Sequence, residues 1–363
     1  MGMNRHQTRA FRLSNQQFES VSKLFSYCTD LYSQEKALPL SAFVIFPIGE
    51  TTPERVAEAA KKRKLTFRIQ KTGGNVYLVK VGVEKRMIRF QLIANKGWWL
   101  FLGDGRSRVL REVLLESFIG NHLSWALEPS YINSDQLASI LEGLALSFAK
   151  VDIVGCRYYQ PGVTKLEFRR KGFQIAYHAG LMKELENDTN GTLSAIRVQF
   201  VDSGSVQNRV RLLTQSQMTL YGGFFTDFYQ SIILPYVEES QKTRKKLSNK
   251  ERRIDRHRIV LNPTTIQCRD EFSKVQIEGL QRTLVAHYSA SISYSNPVMI
   301  AHIADRGDGS CFDVYLEGKS IQVVPATRAT SGSFAQLISL LARFSPQILE
   351  IRHETYETLV VGG

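Results

Sequence analysis

The stretch Leu65–Ile93, LTFRIQKTGGNVYLVKVGVEKRMIRFQLI, decides the fold. It holds three runs of alternating apolar and polar residues, Leu65–Gln70, Val76–Val83 and Met87–Ile93, the first two separated by the glycine pair Gly73-Gly74. Alternation with a period of two places one set of side chains on one face of an extended chain, and a glycine pair supplies the tight turn between antiparallel partners. The spacing therefore predicts an antiparallel meander.

Working outward, Thr51, Thr52 and Pro53 open a helix over Pro53–Lys64 with Glu54 in its first turn. That helix ends in Lys61, Lys62, Arg63 and Lys64, which complement the negative end of the helix dipole. Upstream lie a helix from about Asn15 to Tyr32 and an apolar strand, Ala42–Ile48. Downstream, Trp98–Phe101 forms an apolar run that closes on Gly103-Asp104-Gly105, and Val109, Leu110, Val113, Leu114, Phe118 and Ile119 repeat at helical spacing. A second amphipathic helix spans Ser134–Phe148, followed by strands near Val151–Tyr158, Lys165–Arg169 and Phe173–Tyr177. The polar loop Glu186–Gly191 marks a candidate boundary. Strands Ala195–Val201 and Asn208–Leu213 then precede a helix opening near Gly223, which Pro235 is expected to kink or end.

The remainder reads as alternating strand and helix. Strands are expected at Ile259–Leu261, Ser291–Tyr294, Val298–Ile303, Phe312–Leu316, Ile321–Pro325, Ile348–Arg352 and Thr358–Val361. Helices are expected over Glu271–Val285 and Ser333–Phe344, the latter capped by Ser331 or Ser333. The fold class is mixed α/β (α+β) in two regions: residues 1–240 with a sub-boundary near 186–192, a basic linker or helix at 241–258, and a C-terminal unit at 259–363.

Composition bounds the function. No run approaches the roughly 20 apolar residues that cross a bilayer, and Met1–Phe18 has no signal-peptide core. Gly2 does not complete a myristoylation motif, because the sixth position is His6. The cysteines Cys28, Cys156, Cys268 and Cys311 form no Cys-x-x-Cys pair, which argues against a zinc site or disulfide framework and fits a reducing, cytoplasmic setting. The formal charge of +13 attracts polyanions.

That charge is concentrated. Lys242, Arg244, Lys245, Lys246, Lys250, Arg252, Arg253, Arg256 and Arg258 are diluted only by Glu251 and Asp255. Nine cations at this density repel one another unless a polyanion releases counterions on binding them. Two smaller patches add to it: Lys61, Lys62, Arg63 and Lys64 with Arg68, and Lys165, Arg169, Arg170 and Lys171 flanked by Phe168 and Phe173. Arg106 and Arg108, after the glycine turn and before a helix, make a candidate anion seat.

Catalytic signatures are sparse. No Gly-x-Ser-x-Gly elbow, His-Glu-x-x-His helix or dinucleotide turn occurs. Asp152 and Glu167, on successive expected strands with Arg169 beyond, resemble the Asp…Glu-x-Lys pattern of restriction-type nucleases, with arginine where that family has lysine. They are the candidate catalytic carboxylates, and Mg²⁺ is the implied cofactor in that reading alone. Asp305, Asp308 and Asp313 cluster around a hairpin turn at Arg306-Gly307-Asp308-Gly309, and His302 reads as a hydrogen-bonded core residue.

One segment carries a family resemblance. Phe272–Arg306 holds a helix with Ile277, Leu280 and Leu284, then His287-Tyr288-Ser289, Ser293, Pro297 and Ala301-His302. In order and approximate spacing it resembles the closing segment of Argonaute PIWI domains. The resemblance covers about a tenth of the chain, needs a gap, and matches none of that family's catalytic carboxylates. It implies a nucleic-acid-handling protein without slicing activity, a subunit of a bacterial or phage-related defence or mobile-element complex. The leading expectation is thus a non-catalytic protein that binds DNA or RNA beside another protein subunit and away from membranes. Two other readings stay open: a metal-dependent nuclease, and an interaction subunit docking an acidic partner.

Overall fold

The structure is a computed structural model that describes residues 12–33, 38–83, 86–105, 107–123, 126–132, 134–160, 163–168, 174–182, 184–185, 192–201, 207–214, 216–255, 258–295, 298–305, 309–326, 329–345 and 348–353. The chain forms two compact units: residues 1–158 with 165–239, and residues 159–164 with 240–363. It is a mixed α/β protein, as its patterning predicts.

The first unit is organised by one large sheet. Its strands are β1 (Leu40–Pro47), β2 (Thr66–Gly73), β3 (Val76–Val83), β4 (Arg86–Asn95), β5 (Trp98–Asp104), β6 (Leu127–Pro129), β7 (Lys150–Gln160), β8 (Val163–Phe168), β9 (Ile175–Ala176), β10 (Thr192–Val201), β11 (Gln207–Leu213) and β12 (Gln217–Gly222). The spatial order is β2-β3-β4-β5-β1-β12-β11-β10-β7-β8, with β6 on β1 and β9 on β7. The expected meander is present: β2, β3, β4 and β5 pair antiparallel in succession. Strands on both sides of the Glu186–Gly191 loop belong to this one sheet, while the loop itself lies outside the described residues.

Alternation along the strands builds two cores. Leu40, Ala42, Val44 and Phe46 of β1 point to one face, with Val210 and Leu212 of β11 and Ile196 and Val198 of β10. Helices α1 (Val21–Ser33), α4 (Ser134–Ser147) and α5 (Phe225–Leu247) cover that face with Leu24, Leu141 and Phe228 among others. Phe43 and Ile45 point to the opposite face, where α2 (Pro53–Lys62) and α3 (Ser107–Arg111, continuing as a π-helix over Glu112–Leu123) close a second core with Val56, Leu114 and Phe118. This second core takes strand residues from β1 to β6 and none from the described parts of β10, β11 or β12.

Several local expectations need correction. Helix α1 begins at Val21, six residues after Asn15, where a short 3-10 turn, Leu13–Asn15, precedes it. Pro235 does not end α5 but stands where its α pattern is interrupted: the helix runs through Phe225–Phe228, a π-helical segment Tyr229–Ile233 and Leu234–Leu247. Proline lacks a donor and clashes with the carbonyl of the preceding turn. The wider π turn immediately before it relaxes that conflict. Strands β6 and β12 had no sequence assignment: one is three residues long, and the other carries Gln217 and Thr219 on a buried face.

The second unit contains the hairpin β13 (Ser248–Asp255) with β14 (Arg258–Leu261), and a six-stranded antiparallel sheet. That sheet is built from β15 (Thr264–Cys268), β16 (Tyr288–Ser295), β17 (Met299–Asp305), β18 (Cys311–Glu317), β19 (Ser320–Pro325) and β20 (Ile348–His353), in the order β16-β17-β18-β19-β15-β20. It is therefore a meander of four consecutive strands between two helices rather than strict alternation. Strand β15, unassigned from sequence, lies in the sheet interior between β19 and β20. Its single large apolar side chain, Ile266, is too little pattern to mark it.

Helix α6 (Lys274–His287) opens with a full capping box between Ser273 and Gln276. Helix α7 (Ser331–Phe344) is capped by Thr330, whose hydroxyl accepts from Ser333 N–H, so neither Ser331 nor Ser333 is the cap. Phe334 of α7 stacks on Phe312 of β18 at 5.8 Å. Residues 358–361, expected as a strand, lie outside the described residues.

Candidate nucleic-acid interface

The cations picked out from sequence fall into three groups. Lys61, Lys62, Arg63 and Lys64 are all exposed at the end of α2. There Leu65 N–H bonds to Ala60 C=O and Lys64 N–H to Lys61 C=O, the two bonds of a Schellman motif. Lys64 sits at its left-handed position with φ 58°. This run therefore also terminates a helix.

Of the long basic segment, Lys242 and Lys245 are exposed on the last turns of α5 and Arg244 is half-buried there. Lys246 is on the same helix, Lys250, Arg252 and Arg253 are on β13, and Arg258 is on β14, with their side chains outside the described set. Arg256 lies outside the described residues altogether, as do Arg169, Arg170 and Lys171.

The candidate anion seat is described only in part. Arg106 is outside the described residues, and Arg108 Nε donates to Glu112 Oε1 at 2.8 Å one turn along its own helix. The same turn carries a carboxylate of its own, Asp104, which accepts from Leu13 N–H at 3.1 Å.

Asp152 and Glu167 lie on neighbouring strands, β7 and β8. Asp152 is buried, and its Oδ2 accepts from Gln174 Nε2 at 2.6 Å and pairs with Lys150 Nζ at 3.0 Å. The Glu167 side chain is outside the described set. No group of three or more His, Cys, Asp or Glu among the described residues is placed to hold a metal. In the second unit, His302 is exposed on the sheet and bonds through Nδ1 to Asp313 Oδ1 at 2.6 Å, which corrects its reading as a core residue. Asp308 lies outside the described residues.

A further cation cluster is assembled across strands. Strands β7, β10 and β11 carry Arg157, Arg197, Arg209 and Arg211, all half-buried. Register sets Arg197 directly opposite Arg211, with Gln199 opposite Arg209 one pair along. Thr219 of β12 is the next partner of Arg211, and Ser41 of β1 the next partner of Thr219. All lie on the face that carries the second core, beyond the point where that core ends.

Tyr221 organises the cluster. Its ring lies under the Arg197 guanidinium at 5.6 Å, and it is an electrostatic neighbour of Arg211. Burial pushes the Arg211 pKa below the ordinary guanidinium value, Arg157 and Arg197 push the same way, and Tyr221 opposes them. Guanidinium stays charged even so. Arg157, Arg197 and Arg211 together line one cleft.

A signal for these residues existed. In Ala195–Val201 and Asn208–Leu213 the arginines alternate with buried Ile196, Val198, Val210 and Leu212, so strand periodicity assigns them one face. Counting cations along the chain favours consecutive runs and misses a cluster assembled across strands.

A second cation row crosses the far end of the sheet, where Arg68, Lys80 and Arg89 are in register on β2, β3 and β4. Their parity is that of Gln91, whose partner Leu102 belongs to the first core, so this row and the arginine cluster occupy opposite faces. No family model matches the chain, and no curated protein matches it significantly.

Proposed function

We propose that this protein binds nucleic acid. The observation that carries the reading is cation set against cation in register: Arg68–Lys80–Arg89 on one face of the sheet and Arg197–Arg211 on the other. Like charges directly opposite one another on neighbouring strands cost stability. A polyanion that displaces their counterions offsets that cost on binding. The formal charge of +13 and the exposed Lys61, Lys62, Arg63, Lys64, Lys242 and Lys245 supply attraction of the same sign.

The test is binding of labelled single- and double-stranded DNA and RNA by the purified chain across a salt series. The expected result is a logarithmic affinity that falls linearly with the logarithm of salt, with a slope of about −0.7 to −0.9 per phosphate contact. No binding at low salt, or an affinity indifferent to salt, overturns the proposal.

A further inference from the structure

We propose that Arg157, Arg197 and Arg211, on the neighbouring strands β7, β10 and β11, form a built phosphate site that takes a backbone phosphate of nucleic acid, with Tyr221 as its positioning residue. The inference rests on the nucleic-acid reading above and assigns it a place.

Four observations converge there. Arg197 and Arg211 are direct cross-strand partners, an arrangement that repels unless something negative lies between or above the pair. Among the described residues, the electrostatic neighbours of Arg211 are Arg157, Arg197 and Tyr221. Tyr221 holds the Arg197 guanidinium over its ring and stands beside Arg211, so the Arg197 fork is ordered before a ligand arrives. Thr219, next in register to Arg211, is 1 % exposed, and its Oγ1 has no hydrogen-bond partner among the described residues.

The chemistry selects the ligand. Guanidinium presents a planar donor fork that matches a phosphate edge with two parallel N–H···O bonds, and it tolerates partial burial better than ammonium does. The site has arginine at all three cationic positions and lysine at none. It is also compact: adjacent strands are about 4.8 Å apart, so the three side chains address one phosphate rather than a long track. The exposed lysines elsewhere then supply attraction without placement.

The test uses the full chain with Arg197→Met, Arg211→Met, Arg211→Lys and Tyr221→Leu, an oligonucleotide of each type as probe, and inorganic phosphate as competitor. Each methionine variant is expected to lose about ten- to a hundredfold in affinity and to flatten the salt slope by about 0.7 to 0.9. Arg211→Lys keeps the charge, so it retains the slope while losing the fork and part of the affinity. Tyr221→Leu removes the ring under Arg197, and is expected to weaken binding about threefold with the slope unchanged.

Melting temperatures of the methionine variants at or above the wild-type value show that the loss is not unfolding. Should a methionine variant melt lower, Arg211→Lys decides: wild-type melting with weaker binding supports the site, and wild-type affinity overturns it. Wild-type chain that binds oligonucleotides while Arg197→Met and Arg211→Met bind equally well overturns the site and leaves the nucleic-acid reading standing. Wild-type chain that binds no oligonucleotide overturns both. Inorganic phosphate that binds the wild type, but not Arg211→Met, when no oligonucleotide does, overturns the nucleic-acid source of the phosphate.

Discussion

Replacing Lys80 tests directly whether the opposed cations sense one another. Lys80 sits between Arg68 and Arg89 in register, half-buried itself with both partners exposed, and is thus the shared member of two like-charge pairs. Directly opposed Cβ atoms are about 5 Å apart. Taking the charges as about 7 Å apart, each pair repels by about 0.6 kcal/mol in water. A Debye length of about 8 Å at physiological salt reduces that to about 0.25 kcal/mol. Lys80→Gln removes both repulsions and is expected to stabilise the first unit by about 0.5 kcal/mol at physiological salt and about 1 kcal/mol at low salt. Lys80→Glu turns two repulsions into two attractions and should gain about twice as much.

The assay is denaturant unfolding of wild type and both variants at low, physiological and 1 M salt, beside oligonucleotide affinity. For a unit of this size, 1 kcal/mol corresponds to a melting shift of about 2–4 °C. Stability rises in the order Lys, Gln, Glu, the gain collapses at 1 M salt, and affinity falls in the same order. A Lys80→Glu chain no more stable than wild type at low salt, or a gain indifferent to salt, refutes the reasoning. The cations would then be too far apart or too well hydrated to need a ligand.

Other expectations follow from the interior. Asn208 is buried, its Oδ1 accepts from Phe224 N–H at 2.7 Å, and its Nδ2 donates to Asp227 Oδ2 at 3.0 Å, so strand β11 caps α5. Asn208→Ala removes one neutral and one charge-assisted bond and should cost about 3 kcal/mol in denaturant unfolding. A loss under about 0.5 kcal/mol would show that the cap is dispensable. Cys28, Cys156 and Cys268 are buried and Cys311 is exposed, so a thiol reagent should label Cys311 alone in the native chain and all four cysteines in denaturant. Rapid native labelling of a second cysteine would contradict the packing. Burial raises the pKa values of Cys28, Tyr32 and Tyr236 well above ordinary, with Asp104 adding to the first two. The unfolded chain releases these protons from about pH 9 upward while the folded chain keeps them, so stability is fully present below about pH 8 and is lost as pH rises. Each such group adds up to about 1.4 kcal/mol per pH unit above about pH 10, and Cys28→Ala should lower the slope by about that amount. Melting temperatures unchanged from pH 9 to 11 would refute it.

Legibility in the sequence followed the range of the physics. The meander of β2 to β4, helix α2 with Thr52 accepting from Arg55 N–H, and the core stripe Phe334, Leu337 and Leu341 of α7 were readable because their signals are local. Strands β12 and β15 were not: Gln217 and Thr219 lie on a strand whose burial is imposed by neighbours on both sides, and a five-residue strand with one large apolar residue states no period. The long basic segment was plain in sequence because its charges lie close together along the chain.

What the sequence determined by itself was the class of the protein: mixed α/β, strongly basic, with cations concentrated beyond what dispersal would give. Only the tertiary structure decided which cations meet. Arg157, Arg197 and Arg211 are separated along the chain and brought to one face by the order β11-β10-β7, with Tyr221 from β12 beneath Arg197. Strand periodicity fixes the face on which a residue stands, but strand order and register fix its neighbours. Those arise from long-range pairing, which no window along the chain contains.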